Sequence, residues 1–207
     1  MGPMLLMLYM GLLTALSEET CVPPRLDRAM VPQHPAATVE DGVVLVDLRV
    51  DEKGLVSTVR TLEGGNPFAK QATEAVRHWT FVPAHVNKPV ESRVGVLMIF
   101  RSRRILEFGP PQRKLRQLSS SDRPPLPVTI SPLPYPANSV AEGFVVLQLE
   151  VDFRGDIAKI KVIEGIPPLT EIARTSVETW RFAPAKAGGQ PVCGTAIVAV
   201  SFLRPVV

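Results

Sequence analysis

The side chains able to do chemistry are few and scattered. His34, His78 and His85 are the only histidines, and Cys21 and Cys193 the only cysteines. His78 follows Glu74 by one helical turn, an acid and a base with no nucleophile beside them. Ser119, Ser120 and Ser121 lie in a polar stretch with no base nearby in sequence. There is no G-x-S-x-G elbow and no glycine loop built to cradle phosphate. No C-x-x-C pair or zinc-ligand spacing occurs. Asp51 and Asp152 each open an Asp-x-x-Gly between β-rich runs, which is turn chemistry rather than a ligand set. The residues predict no enzyme, no metal and no cofactor.

Composition narrows the remaining classes. The chain has 207 residues, 45% hydrophobic and 21% charged, with 21 prolines that favour turns and extended entries over long helices. A net charge of +3 does not by itself imply nucleic acid, and aromatic residues for base stacking are missing from the basic stretch. Two cysteines allow one bridge in an oxidising compartment or two free thiols. A Cys21–Cys193 bridge would pin the N-terminal tail to the second half of the chain. Residues 4–16 are almost wholly apolar, too short to span a bilayer but of signal-peptide length, with Ala15 and Ser17 placed for a cut after Ser17. No Lys or Arg precedes the run. An exported protein is expected, with membrane contact only through this segment.

The phrase W-x-F-x-P-A occurs twice, as "HWTFVPA" and "TWRFAPA". Sliding Gly42 onto Gly143 aligns much more. Val44, Leu48, Val50, Asp51 and Gly54 fall on Val145, Leu149, Val151, Asp152 and Gly155, and Trp79 and Phe81 fall on Trp180 and Phe182. One domain is written twice. The expected boundaries are a signal-like tail at 1–22, a first domain at 23–101, a basic linker at 102–123 and a second domain at 124–207.

Periodicity supplies the elements. "GVVLVDLRV" and "GFVVLQLEV" alternate, with Val44, Val46, Leu48 and Val50 on one face and Asp47, Arg49 and Asp51 on the other. Each sheet should have one buried and one wetter face. Phe68, Ala72, Ala75, Val76 and Trp79 form a helical stripe, as do Leu169, Ile172, Ala173, Val177 and Trp180. Trp79, Phe81, Trp180 and Phe182 are expected in the core. The predicted class is α+β: two tandem domains, each a small three-stranded antiparallel sheet with one helix packed on one face. Between them Arg101, Arg103, Arg104, Arg113, Lys114, Arg116 and Arg123 face only Glu107 and Asp122, a solvated basic linker.

The ordered set "PYPANSVAEGFVVLQLEVDFRG…TWRFAPAKAGGQPV…VAVSF" resembles the TonB C-terminal domain family, and the first repeat matches with His34 in place of the tyrosine. The resemblance implies a non-enzymatic periplasmic module that binds an extended segment of an outer-membrane transporter or another envelope protein by strand addition. The family's contacts fall here on Gln33, His34, Pro35, Arg93, Val94, Val96 and Met98 in the first copy. In the second they fall on Pro134, Tyr135, Pro136, Gly194, Thr195, Ala196, Val198 and Val200. The tail offers too little chain to cross a periplasm, so an adaptor fits better than an energy transducer. The alternatives are an envelope scaffold that dimerises through sheet edges, and a transducer whose inner-membrane anchor lies upstream of this start.

Overall fold

The computed structural model describes residues 22–204, apart from 37, 39, 102–112, 132, 137 and 138. The apolar run at 4–16, Cys21, Arg103, Arg104 and Glu107 lie outside the described residues. The first repeat contains β1 (Arg25–Arg28), β2 (Gly42–Val50), β3 (Val56–Glu63), α1 (Phe68–Val76), β4 (Thr80–Val82), β5 (Ala84–Val86), β6 (Lys88–Val90) and β7 (Ser92–Arg101). The linker adds β8 (Arg113–Lys114). The second repeat contains β9 (Leu126–Ile130), β10 (Gly143–Val151), β11 (Ile157–Glu164), α2 (Leu169–Glu178), β12 (Arg181–Ala183), β13 (Ala185–Ala187), β14 (Gln190–Val192) and β15 (Gly194–Phe202).

Local chemistry explains the shared unit. Asp51 Oδ1 accepts the amides of Lys53 and Leu55 at 2.9 and 2.8 Å, and Asp152 Oδ1 those of Arg154 and Asp156 at 2.8 and 2.9 Å. Gly54 and Gly155 close these turns at φ +83° and +92°, where a Cβ would also strike the carbonyl of Phe81 or Phe182. α1 buries its expected stripe of Phe68, Ala72, Ala75 and Val76; α2 buries Leu169, Ala173 and Val177 as expected, with Ser176 buried beside them and Ile172 only half-buried. Trp79 and Trp180 follow the helices at 1% and 4% exposure. Their indole N–H groups donate to the Met30 carbonyl at 2.8 Å and to Ser131 Oγ at 2.9 Å, tying each helix to its own repeat's entry segment.

The tertiary arrangement departs from two separate sheets. One six-stranded sheet runs in the order β11-β10-β15-β7-β2-β3. Its neighbours are antiparallel except at the centre, where β7 and β15 pair in parallel from Val94↔Thr195 to Arg101↔Phe202. Two identical units joined by parallel final strands are related by a pseudo-twofold axis along those strands, which exchanges the faces of the sheet. α1 therefore packs on one face and α2 on the other.

This arrangement also corrects the expected wet faces. The entry segment of each repeat crosses onto the other repeat's half of the sheet. Leu26 packs in a core with Val146, Ile197 and Ala199, while Leu126, Ile130 and Leu133 pack with Leu45, Leu97 and Ile99. Asp47, expected on a wetter face, is 4% exposed, and its counterpart in the second repeat, Gln148, is 1% exposed. Both are satisfied as buried polar groups must be. Asp47 accepts Arg93 Nε at 3.1 Å and pairs with Arg60 at 2.9 Å, and Gln148 Oε1 accepts the Leu26 amide at 2.8 Å.

Candidate partner-binding site

The residues expected to receive a partner strand lie in the middle of the sheet. Val94, Val96, Thr195, Val198 and Val200 have no exposed surface, and Met98 and Ala196 only 1%. Arg93 pairs β7 with β2, opposite Arg49, and Gly194 pairs β15 with β10, opposite Val151. From Val94 and Thr195 onward each last strand has two neighbours, one from its own repeat and one from the other. No unpaired backbone edge remains on these stretches, so a peptide would have to displace the other repeat.

The entry segments are also part of the packing. Tyr135 is partly buried, and its hydroxyl donates to the carbonyls of Ala141 at 2.7 Å and Ser139 at 3.3 Å. His34 takes the same place beside Phe68 and Phe100, with ring centroids 5.6 and 6.1 Å away. Pro35 is buried, Pro136 is half-buried, and Gln33 and Pro134 are exposed. These segments seal the ends of the cores rather than lining an open strand edge.

Among the described residues, the free edges of the sheet are the outer sides of β3 and β11. They are not equivalent. At the end of β3 the linker folds back, with Arg113 paired to Glu63 and the Arg116 amide donating to the same carboxylate at 3.0 Å. The twin residue Glu164 is exposed and has no such cover among the described residues. Beside β11 runs a groove of about 450 Å³, lined by residues 155–160 on the strand side and by Arg174, Glu178, Trp180 and Arg181 on the other. Sequence reasoning missed this groove. Its only signal was the polar alternation of "IAKIKVIE", which cannot reveal a neighbouring helix.

A second concavity, of about 690 Å³, lies between the repeats. The arms β5–β6 and β13–β14 flank it, and the starts of β7 and β15 form part of its wall. Cys193 lines it and is disulfide-bonded. Cys21, the chain's other cysteine and the partner in the one bridge that the sequence allows, lies outside the described residues.

The model of the Gram-negative bacterial TonB protein C-terminal domain matches twice, at residues 32–101 and 132–203, more than half of the chain. The chain belongs to the TonB C-terminal family. No curated protein matches it. TonB C-terminal domains are protein-interaction modules of the envelope, without catalytic machinery. Glu74 and His78 are both exposed, with no described hydrogen bond between them, and the Ser120 and Ser121 hydroxyls bond to Asp122. Among the described residues no helix is long and apolar enough to cross a membrane.

In this TonB-family chain the described linker cations are mostly engaged locally. Arg101 is buried against Asp41 at 3.1 Å, Arg113 pairs with Glu63, and Arg123 donates to the Leu118 carbonyl at 3.0 Å. Lys114 and Arg116 are exposed.

Proposed function

We propose that this tandem TonB-family chain is an envelope adaptor that captures an extended segment of an outer-membrane transporter, or of another envelope protein, by strand addition. The observation that carries the reading is the pairing of β7 with β15. It consumes the last-strand edges inside the chain and leaves β3 and β11 as the ends of the sheet. An outer strand offers every second backbone amide and carbonyl to an extended peptide. β11 is favoured, because its end is uncovered and the groove beside α2 can receive alternate side chains of the incoming strand. Charge does not select the segment, because Lys159, Arg174 and Arg181 already pair with Glu150, with Glu171 and Glu178, and with Asp156.

Titration of the labelled chain with transporter-derived peptides, read by amide chemical shifts, tests this. Shifts along residues 157–164, with β7 and β15 silent, are expected. Shifts confined to β7 and β15 would mean that the peptide displaces the other repeat, and silence everywhere would end the strand-addition reading.

The same open strand favours a second reading, in which two copies pair through β11 as an envelope scaffold. Val162 there is 42% exposed. Sedimentation separates the two, since a strict monomer at high concentration leaves only the adaptor.

A further inference from the structure

We propose that the cleft between the two arms binds an amphipathic anion, a linear apolar chain ending in a carboxylate. This site is separate from the strand edges and does not depend on the strand-addition reading.

The cleft's size, about 690 Å³, falls in the range that encloses small ligands. Its walls gather apolar surface that is left in water elsewhere in the fold. Val22, Val86 and Phe153 line it and are 47%, 56% and 56% exposed. Pro23, Pro24, Pro191 and Val192 extend the same surface. An acyl chain laid there would remove these groups from water, which is the dominant favourable term in such binding.

The charge around the cleft breaks the pseudo-twofold symmetry. In the first repeat an isolated bridge joins Val22 to His85, and in the second the matching bridge joins Arg123 to Lys186. The sequence thus replaces an apolar residue and a histidine with two cations. The cleft's other cations are already neutralised: Arg49 pairs with Glu91 at 2.9 Å and Arg93 with buried Asp47. Arg123 donates to a carbonyl, and neither it nor Lys186 pairs with an acid among the described residues. Asp122, the cleft's remaining acid, accepts the Gly188 amide at 2.7 Å and the Ser121 hydroxyl at 3.3 Å and keeps its charge, so the two cations exceed it by one. A carboxylate entering a half-enclosed cleft meets these two cations in a lower dielectric than at an open surface, so the attraction is stronger there. The disulfide at Cys193 and the internal pairing of both arms hold the walls in place, which lowers the ordering cost of binding.

The test is calorimetric titration of the full chain with dodecanoate below its micellar concentration. Saturable binding at one site is expected, with dodecyltrimethylammonium at least about tenfold weaker. Lys186→Glu should reverse that order, and Phe153→Ser should weaken both ligands about fivefold, each without lowering the Tm. If Lys186→Glu lowers the Tm, Lys186→Gln replaces it and should abolish the preference for the carboxylate. Absence of saturable binding, equal affinity for the two head groups, or an order untouched by the Lys186 variant would each overturn the proposal. So would amide shifts on β11 in place of the two arms.

Discussion

Trp79 and Trp180 do the same job in both repeats. Each ring closes a helical stripe, and each indole N–H reaches back to the segment that enters the repeat. Truncation removes the buried ring and, at Trp79, the donor to the Met30 carbonyl. Trp79→Ala and Trp180→Ala should each cost ~3–5 kcal/mol in urea unfolding. The aspartates of the turns are equally local, since their carboxylates satisfy amides within the same loop. Asp47 is different. It looks like a surface residue in sequence, yet it is buried, and the linker brings the Asp122 carbonyl to the Arg93 that pairs with it.

Among the elements, β7 and β15 matter most. They are buried almost from end to end, and a strand buried on both faces reads as a continuous hydrophobic run. "RVGVLMIF" and "TAIVAVSF" carry that mark, which points to a central place in a sheet and not to an edge. Gly95 shows how closely the second repeat's entry segment crosses β7, because a Cβ there would lie 2.1 Å from the Pro125 carbonyl oxygen. Gly95→Val should therefore destabilise by ~1–3 kcal/mol, measured by urea unfolding. Gly65→Ala, where a Cβ meets nothing within 4 Å, is the neutral control.

At the scale of the whole molecule the two repeats behave as one body. Each supplies half of a sheet and covers the other's far face. Residues 23–101 and 124–207 expressed separately should each expose a long apolar strand edge and self-associate. Co-expression should restore a soluble one-to-one complex, and sedimentation of each half and of the mixture checks this. The disulfide at Cys193 adds a covalent restraint beside the cleft. Alkylation mass spectrometry should find no free thiol at Cys193, and reduction should lower stability by ~2–4 kcal/mol.

The sequence by itself determined the duplicated unit, the Asp-x-x-Gly turns, the helical stripes, the buried tryptophans and the family. All of these rest on contacts within a few residues or within one repeat, where periodicity and turn chemistry act directly. Only the tertiary structure decided that β7 and β15 pair, that both faces of the sheet are covered, and which edges and clefts remain open. Those outcomes depend on how one repeat meets the other, a long-range choice that leaves no period in the chain. The family pattern therefore places the partner strand on edges that the other repeat occupies.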